Sequence, residues 1–280
     1  YPRAWLGHEV AHGWTGPTGP ATNFLSEGWA NYAESILIAE RYGPRAEADY
    51  WESQRTYYER NGFDGRDRLS HDPNNSGVSY NKGAWVLRML EDRIGDDAFH
   101  RGFAAYTATP AGAPAGLDEF RDAMENAVRQ SGAGPAEGAY GFPGGVGDGS
   151  GPRRPRDGDP RAYGVDGLRA FLRPWVEEAV IPDLRARVEP GRVVVEQTQE
   201  PLFDLELELA LVVGERADTV RRTLTLKGRT DTLDTGPIAP VYFAYDDGDA
   251  LKMALSPGWS MRDYQVEAVD AYLGGAAGGS

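Results

Sequence analysis

The 280-residue chain contains no cysteine. That excludes disulfides and thiolate metal ligands, and it leaves histidine and carboxylates as the only strong donors for an ion such as zinc. Lysine is nearly as scarce, with Lys82, Lys227 and Lys252 the only three. Against 43 acidic residues stand 29 basic ones, and the formal net charge of −14 has the wrong sign for a phosphate backbone, so no nucleic acid is expected as a partner. No apolar run approaches the roughly 20 residues that cross a bilayer, and no membrane span is predicted within the chain. Histidine occurs four times, so its placement carries information. What the chain does have is 40% hydrophobic side chains, including seven Trp, enough to bury a core and to suggest two folded units.

The patterning changes once along the chain. Up to about residue 180, apolar positions recur at helical spacing, and helices are predicted at 4–13, 24–42, 46–61, 82–94, 96–106, 117–131 and 165–180. Ser26 is a candidate cap for the second of these, and 62–79 reads as loop. From Arg185 onward the period becomes two, clearest in Leu205-Glu-Leu-Glu-Leu-Ala-Leu211, with companions at 193–197, 220–226 and 241–245. The expected fold class is mainly α, a helical lobe followed by a small antiparallel β-domain. The expected domains are 1–183 and 184–257, with a tail at 258–280. Residues 131–164 are rich in Gly and Pro and are expected to form a long mobile insertion within the first domain.

The chemistry concentrates near the start. His8-Glu9-Val10-Ala11-His12 is an H-E-x-x-H pattern. Positions i and i+4 share a helix face, so both imidazoles can reach one ion, while Glu9 falls beside it and can act as general base on a water there. A hydrolytic zinc site takes three protein ligands and keeps a fourth position open. Glu27, with 14 residues between it and His12, is the preferred third donor, because a turn around Gly16 to Pro20 returns the next helix to the first. Glu34, seven residues further on, is the competing donor, and its alternative role is support of a ligand. One Zn²⁺ held by His8, His12 and Glu27 is the cofactor expected from these residues.

These segments resemble those of the gluzincin aminopeptidases, the family of membrane alanyl aminopeptidase and leukotriene A4 hydrolase. Ser26-Glu27-Gly28-Trp29-Ala30 is similar to the family's Asn-Glu-Gly-Phe-Ala-like segment. Tyr80-Asn81-Lys82-Gly83, with the apolar run that follows, is similar to its Tyr-Glu-Lys-Gly signature and next helix. The resemblance implies Glu27 as third ligand, Tyr80 as catalytic tyrosine, a thermolysin-like catalytic lobe and a β-sandwich after it. A protonated Tyr hydroxyl also suits the chemistry, since attack on a peptide carbonyl builds an oxyanion that needs a fixed donor. The segment joining His12 to Glu27 is shorter than the family's. The family's Gly-x-Met-Glu-Asn strand, which holds the substrate amine, is absent. The chain reads as truncated at its N-terminus, and that leaves its compartment open. Asp122-Ala-Met-Glu-Asn126 does not replace that strand, because it follows the zinc site and lies in an amphipathic helix.

The function expected from this reading is a zinc metallopeptidase acting on a peptide substrate, of the aminopeptidase type. The alternatives are a related gluzincin, such as a glycyl aminopeptidase or an endopeptidase, and a binding module that keeps zinc without turnover. His71 and His100 have no comparable context and read as structural or surface residues.

Overall fold

The computed structural model of the chain describes residues 4–71, 77–110, 112–131, 165–189, 191–213, 218–235 and 240–245. Beyond Ser131 the expected insertion lies outside them, as does the tail at 258–280. The chain divides into two compact units, Tyr1–Ala179 and Val180–Ser280. The described residues are mostly helical, with small antiparallel sheets confined to the second unit. No helix among them is long and apolar enough to cross a membrane.

Among the described residues the first unit holds seven α-helices: α1 (Ala4–Ala11), α2 (Trp29–Tyr42), α3 (Pro44–Arg60), α4 (Gly83–Ile94), α5 (Asp96–Thr107), α6 (Leu117–Ser131) and α7 (Val165–Glu177). Glycine punctuates them. Gly43 and Gly95 close α2 and α4 at φ of 85° and 84°, a backbone conformation that costs a residue without Cβ little. Pro44 then opens α3 in the first turn, where its missing N–H is no loss. The core gathers around α4, where ten of twelve residues are buried. Trp85 there packs edge to face on Trp51 of α3, and Val86, Leu87 and Leu90, like Phe24 and Phe99 of α5, are fully enclosed. Each such side chain contributes about 1.5–3 kcal/mol on burial. Arg88 enters this core only because it is paired. Its Nη1 lies 3.1 Å from Glu47 Oε1, and its guanidinium sits 4.6 Å from the centre of the Trp51 ring.

In the second unit, β1 (Leu184–Glu189), β2 (Arg192–Gln197) and β5 (Thr230–Asp234) form one sheet in the order β1-β2-β5. A second sheet runs β4-β3-β6, from β3 (Leu205–Val213), β4 (Asp218–Leu226) and β6 (Pro240–Tyr245). Every pairing is antiparallel. The alternation in β3 does what period two dictates: Leu205 and Leu207 are buried opposite Leu226 and Leu224.

Three expectations need correction. Ser26 caps nothing, because the backbone is already helical there: Phe24–Gly28 is a π-helical turn that runs straight into α2. Helix also resumes at Gly77 rather than near 82, as a second π-helical turn, Gly77–Lys82, leading into α4. The Asn- and Gly-rich stretch before it disguised this start, and apolar periodicity cannot detect a turn widened to i→i+5. Finally, Thr230–Asp234 forms a strand not foreseen in a mostly exposed, polar segment.

Candidate metal centre

Helix α1 tightens at its end into a 3₁₀ turn, His12–Trp14, after presenting His8 and His12 on one face. Their rings stand edge to face with centroids 4.9 Å apart, and the two Nε2 atoms are separated by 3.2 Å. The end of α1 is tied down from the next segment. The Trp29 indole N–H donates to the Ala11 carbonyl at 3.3 Å, taking up one of the acceptors that a helix leaves open at its C-terminus. Trp29 is itself fixed, buried and stacked on Phe103 with centroids 3.6 Å apart. This bond draws the π-helical turn before α2 against α1 and delivers Glu27 to the histidines.

Glu27 Oε2 lies 3.4 Å from His8 Nε2 and 3.2 Å from His12 Nε2. It is buried and accepts no hydrogen bond. A buried carboxylate oxygen without a donor is costly unless something positive sits beside it. Zinc bonds N and O donors at about 2.0–2.1 Å, and tetrahedral geometry then sets neighbouring donors roughly 3.3–3.4 Å apart. The three donor atoms, at 3.2, 3.2 and 3.4 Å, match that triangle. The donor set therefore fits a zinc ion in chemistry and in spacing. Among the described residues, His8, His12 and Glu27 are the group whose donors converge in this way. His71 and His100 lie apart from it, as expected.

The residues around the triad restrain it. His12 Nδ1 lies 3.0 Å from Ser26 Oγ, so the residue beside Glu27 orients the ring of its fellow donor. Glu34 does not join the triad. Its Oε2 accepts the Tyr50 hydroxyl at 3.3 Å, and that hydroxyl also reaches the Asn31 carbonyl at 2.9 Å. Burial raises the Glu34 pKa, and the nearby His8 and the Tyr50 bond act against the rise. Burial, followed by the Glu34 charge and hydrogen bond, pushes the Tyr50 hydroxyl well above its ordinary value.

Tyr80 is brought to the same place from 53 residues beyond Glu27 in sequence. Its ring stacks on His8 with centroids 5.7 Å apart and planes 9° from parallel. Burial, a hydrogen bond to Glu27 and the charges of Glu27 and Glu9 push its hydroxyl up to about 12. Glu9 is exposed on this side of α1, near enough for its charge to act on Tyr80.

Two glycines allow this approach. A Cβ on Gly28 would lie 3.0 Å from the Gly83 carbonyl carbon and 3.1 Å from the Ser79 carbonyl oxygen. A Cβ on Gly83 would lie 3.2 Å from Gly28 Cα. The turn carrying Glu27 and the turn carrying Tyr80 therefore meet backbone to backbone. Gly28 follows Glu27 directly and Gly83 lies three residues after Tyr80, yet their purpose shows only in the packing. Ser26 could have been found by asking what satisfies the second nitrogen of each histidine.

Residues 4–133 match the Peptidase family M1 domain. Aminopeptidase M1-A of Oryza sativa subsp. japonica is 23% identical over 210 residues, covering 69% of this chain and 20% of that protein. The chain thus spans about a fifth of the length of this curated relative. The crystal structure of Legionella pneumophila aminopeptidase A in complex with aspartic acid aligns with 99% of this chain and 31% of its own, at a TM-score of 0.59 and 14% identity. That likeness is one of fold.

Proposed function

Through residues 4–133 the chain belongs to the gluzincin aminopeptidases of peptidase family M1, and from that premise we propose that it is the catalytic part of a zinc aminopeptidase. The observation that carries the proposal is the donor triangle of His8, His12 and Glu27, with an otherwise unbonded carboxylate oxygen at one corner and Tyr80 stacked over His8. In this reading the helical unit, taken as 1–183, is a thermolysin-like lobe, 184–257 is a β-sandwich, and 258–280 is a tail.

His8 and His12 would hold the ion through Nε2, and Glu27 would hold it through Oε2. Zinc, when bound, polarises a carbonyl and lowers the pKa of a water, each worth several kcal/mol at the transition state. With Nε2 committed, His12 carries its proton on Nδ1 and donates it to Ser26 Oγ, which fixes the tautomer. Glu9, exposed and next to His8 in the chain, takes the proton from the attacking water and passes it to the leaving amine. Tyr80, whose hydroxyl stays protonated throughout the neutral range, donates a hydrogen bond to the oxygen where negative charge develops. Its hydrogen bond to Glu27 is the resting contact that this donation replaces.

Fluorogenic aminoacyl amides and N-blocked, internally quenched peptides test the proposal together. The expected outcome is cleavage of the free-amine substrate, abolished in Glu9→Gln with zinc retained. Cleavage of the blocked peptide instead would make the protein an endopeptidase. One bound zinc with neither substrate cleaved, in this chain and in any longer form of it, would leave a zinc-binding module and defeat the catalytic reading.

A further inference from the structure

We propose that Gln54, remote from every motif residue in sequence, is a positioning residue that sets the register of Tyr80 over the metal centre. The proposal rests on the catalytic reading of Tyr80 given above. Gln54 lies in α3, and its Oε1 accepts two hydrogen bonds from side-chain amides. One comes from Asn31 Nδ2 at 3.1 Å, four residues past Glu27 on the helix that continues its turn. The other, very short, comes from Asn81 Nδ2, the residue next to Tyr80. Asn31 and Asn81 are both buried, so neither amide has easy recourse to solvent. A carbonyl oxygen has two lone pairs, and here a single side chain accepts from both walls of the site.

Gly28 and Gly83 set how closely the two turns approach, with Phe24 packed beside Gly83, and neither glycine carries a side chain that would hold the turns against sliding. A π-helical turn is wider than an α-turn and is often found at functional sites, where lateral restraint matters most. The Asn31–Gln54–Asn81 bridge crosses the contact and opposes that sliding. At the far end of the same turn, Lys82 is fully buried and donates from Nζ to the Glu178 carbonyl at 2.9 Å. Tyr80 therefore sits on a turn pinned at Asn81 and at Lys82. Lys82 faces away toward the end of α7, whereas Gln54 ties the turn to the helix that follows Glu27. Of the two links, the Gln54 bridge is the one that relates Tyr80 to the metal donors.

The test uses the whole chain and four variants: Gln54→Leu, Gln54→Glu, Tyr80→Phe and the double variant Gln54→Leu/Tyr80→Phe. Gln54→Leu removes the shared acceptor and should lower kcat about 10- to 100-fold, the scale of a small misplacement, with KM and bound zinc nearly unchanged. Gln54→Glu keeps an acceptor and should restore most of the loss. In the Tyr80→Phe background the Gln54→Leu change should cost nothing more, because its effect passes through the hydroxyl already removed. A second readout needs no turnover. With ring-¹³C tyrosine, the Tyr80 resonance, assigned by its absence in Tyr80→Phe, should move in Gln54→Leu and stay in place in Gln54→Glu. Should Gln54→Leu fail to fold, Asn81→Ala removes one donor and is expected to move the same resonance. An additive loss in the double variant, or an unmoved Tyr80 resonance, overturns the proposal. Undiminished turnover in Tyr80→Phe defeats the catalytic reading of Tyr80 instead, and the resonance still decides the role of Gln54.

Discussion

The two walls of the candidate metal centre are built in opposite ways. Helix α1 and the 3₁₀ turn that ends it supply the two histidines, and they expose Leu6, Val10 and Trp14 at 61%, 56% and 61%. The next segment ties them down through the Trp29 bond to the Ala11 carbonyl, the His12–Ser26 pair and the approach of Glu27 to both histidines. The Tyr80 turn is enclosed, with Val78, Ser79, Asn81 and Lys82 all buried, and it leads into the most deeply buried helix of the unit. The difference follows from what each wall must deliver. Two imidazoles one helical turn apart are already placed by the helix, and a third donor completes the site once the chain turns back. In the proposed reading the Tyr80 hydroxyl is aimed at a developing oxyanion, has no such local ruler, and must be held in place by packing from several elements.

Breaking either wall should separate its contributions. The largest effect is expected for His12→Ala, which removes a donor from the exposed wall: zinc content should fall and hydrolysis should drop to background. Next comes Tyr80→Phe, which should keep zinc and lower kcat by on the order of 10²–10³, the typical loss of one oxyanion donor. Gly83→Ala forces a methyl group against the turn that carries Glu27. It should cost about 1–3 kcal/mol in urea unfolding, as overpacking does, and should lower kcat as the walls separate.

The enclosed wall should also be the pH-sensitive one. Burial is the main cause raising Glu91 of α4 to about 7 from 4.5, with the Tyr32 hydrogen bond opposing it. The folded state therefore keeps a proton that the unfolded chain releases. Its contribution is fully present below about pH 4.5 and is lost as pH rises through about 7. Glu91→Gln should lack that slope and gain on the wild type by on the order of 1–3 kcal/mol between pH 4.5 and 8, compared by urea midpoints. The smallest effect is expected on the outer face of α1, where Leu6→Ser should change stability by no more than about 0.5 kcal/mol.

The same contrast decides what could be read from the sequence. The convergence of His8 and His12 was legible because it lies in a spacing of four. Glu27 was legible because one short turn joins it to them, and α6 and the alternation of β3 because burial there follows a regular period. The early start of the Tyr80 turn, the helical state of Ser26 and the strand at Thr230–Asp234 were not legible, since none of them expresses a period. Gln54 illustrates the limit best. Nothing in the polar surface pattern of α3 separates it from its neighbours, and its two partners lie 23 and 27 residues away. The resemblance supplied Tyr80 as a functional residue, but the two glycines, the paired amides and Lys82 explain its position.

The central claim is that Glu27, and not Glu34, completes the metal site with His8 and His12. Zinc affinity by chelator competition in wild type, Glu27→Gln and Glu34→Gln tests it directly. The expected order is a severe loss in Glu27→Gln and a weakening of at most about 10- to 100-fold in Glu34→Gln, the range for a residue that supports a ligand. A larger loss in Glu34→Gln than in Glu27→Gln would contradict it.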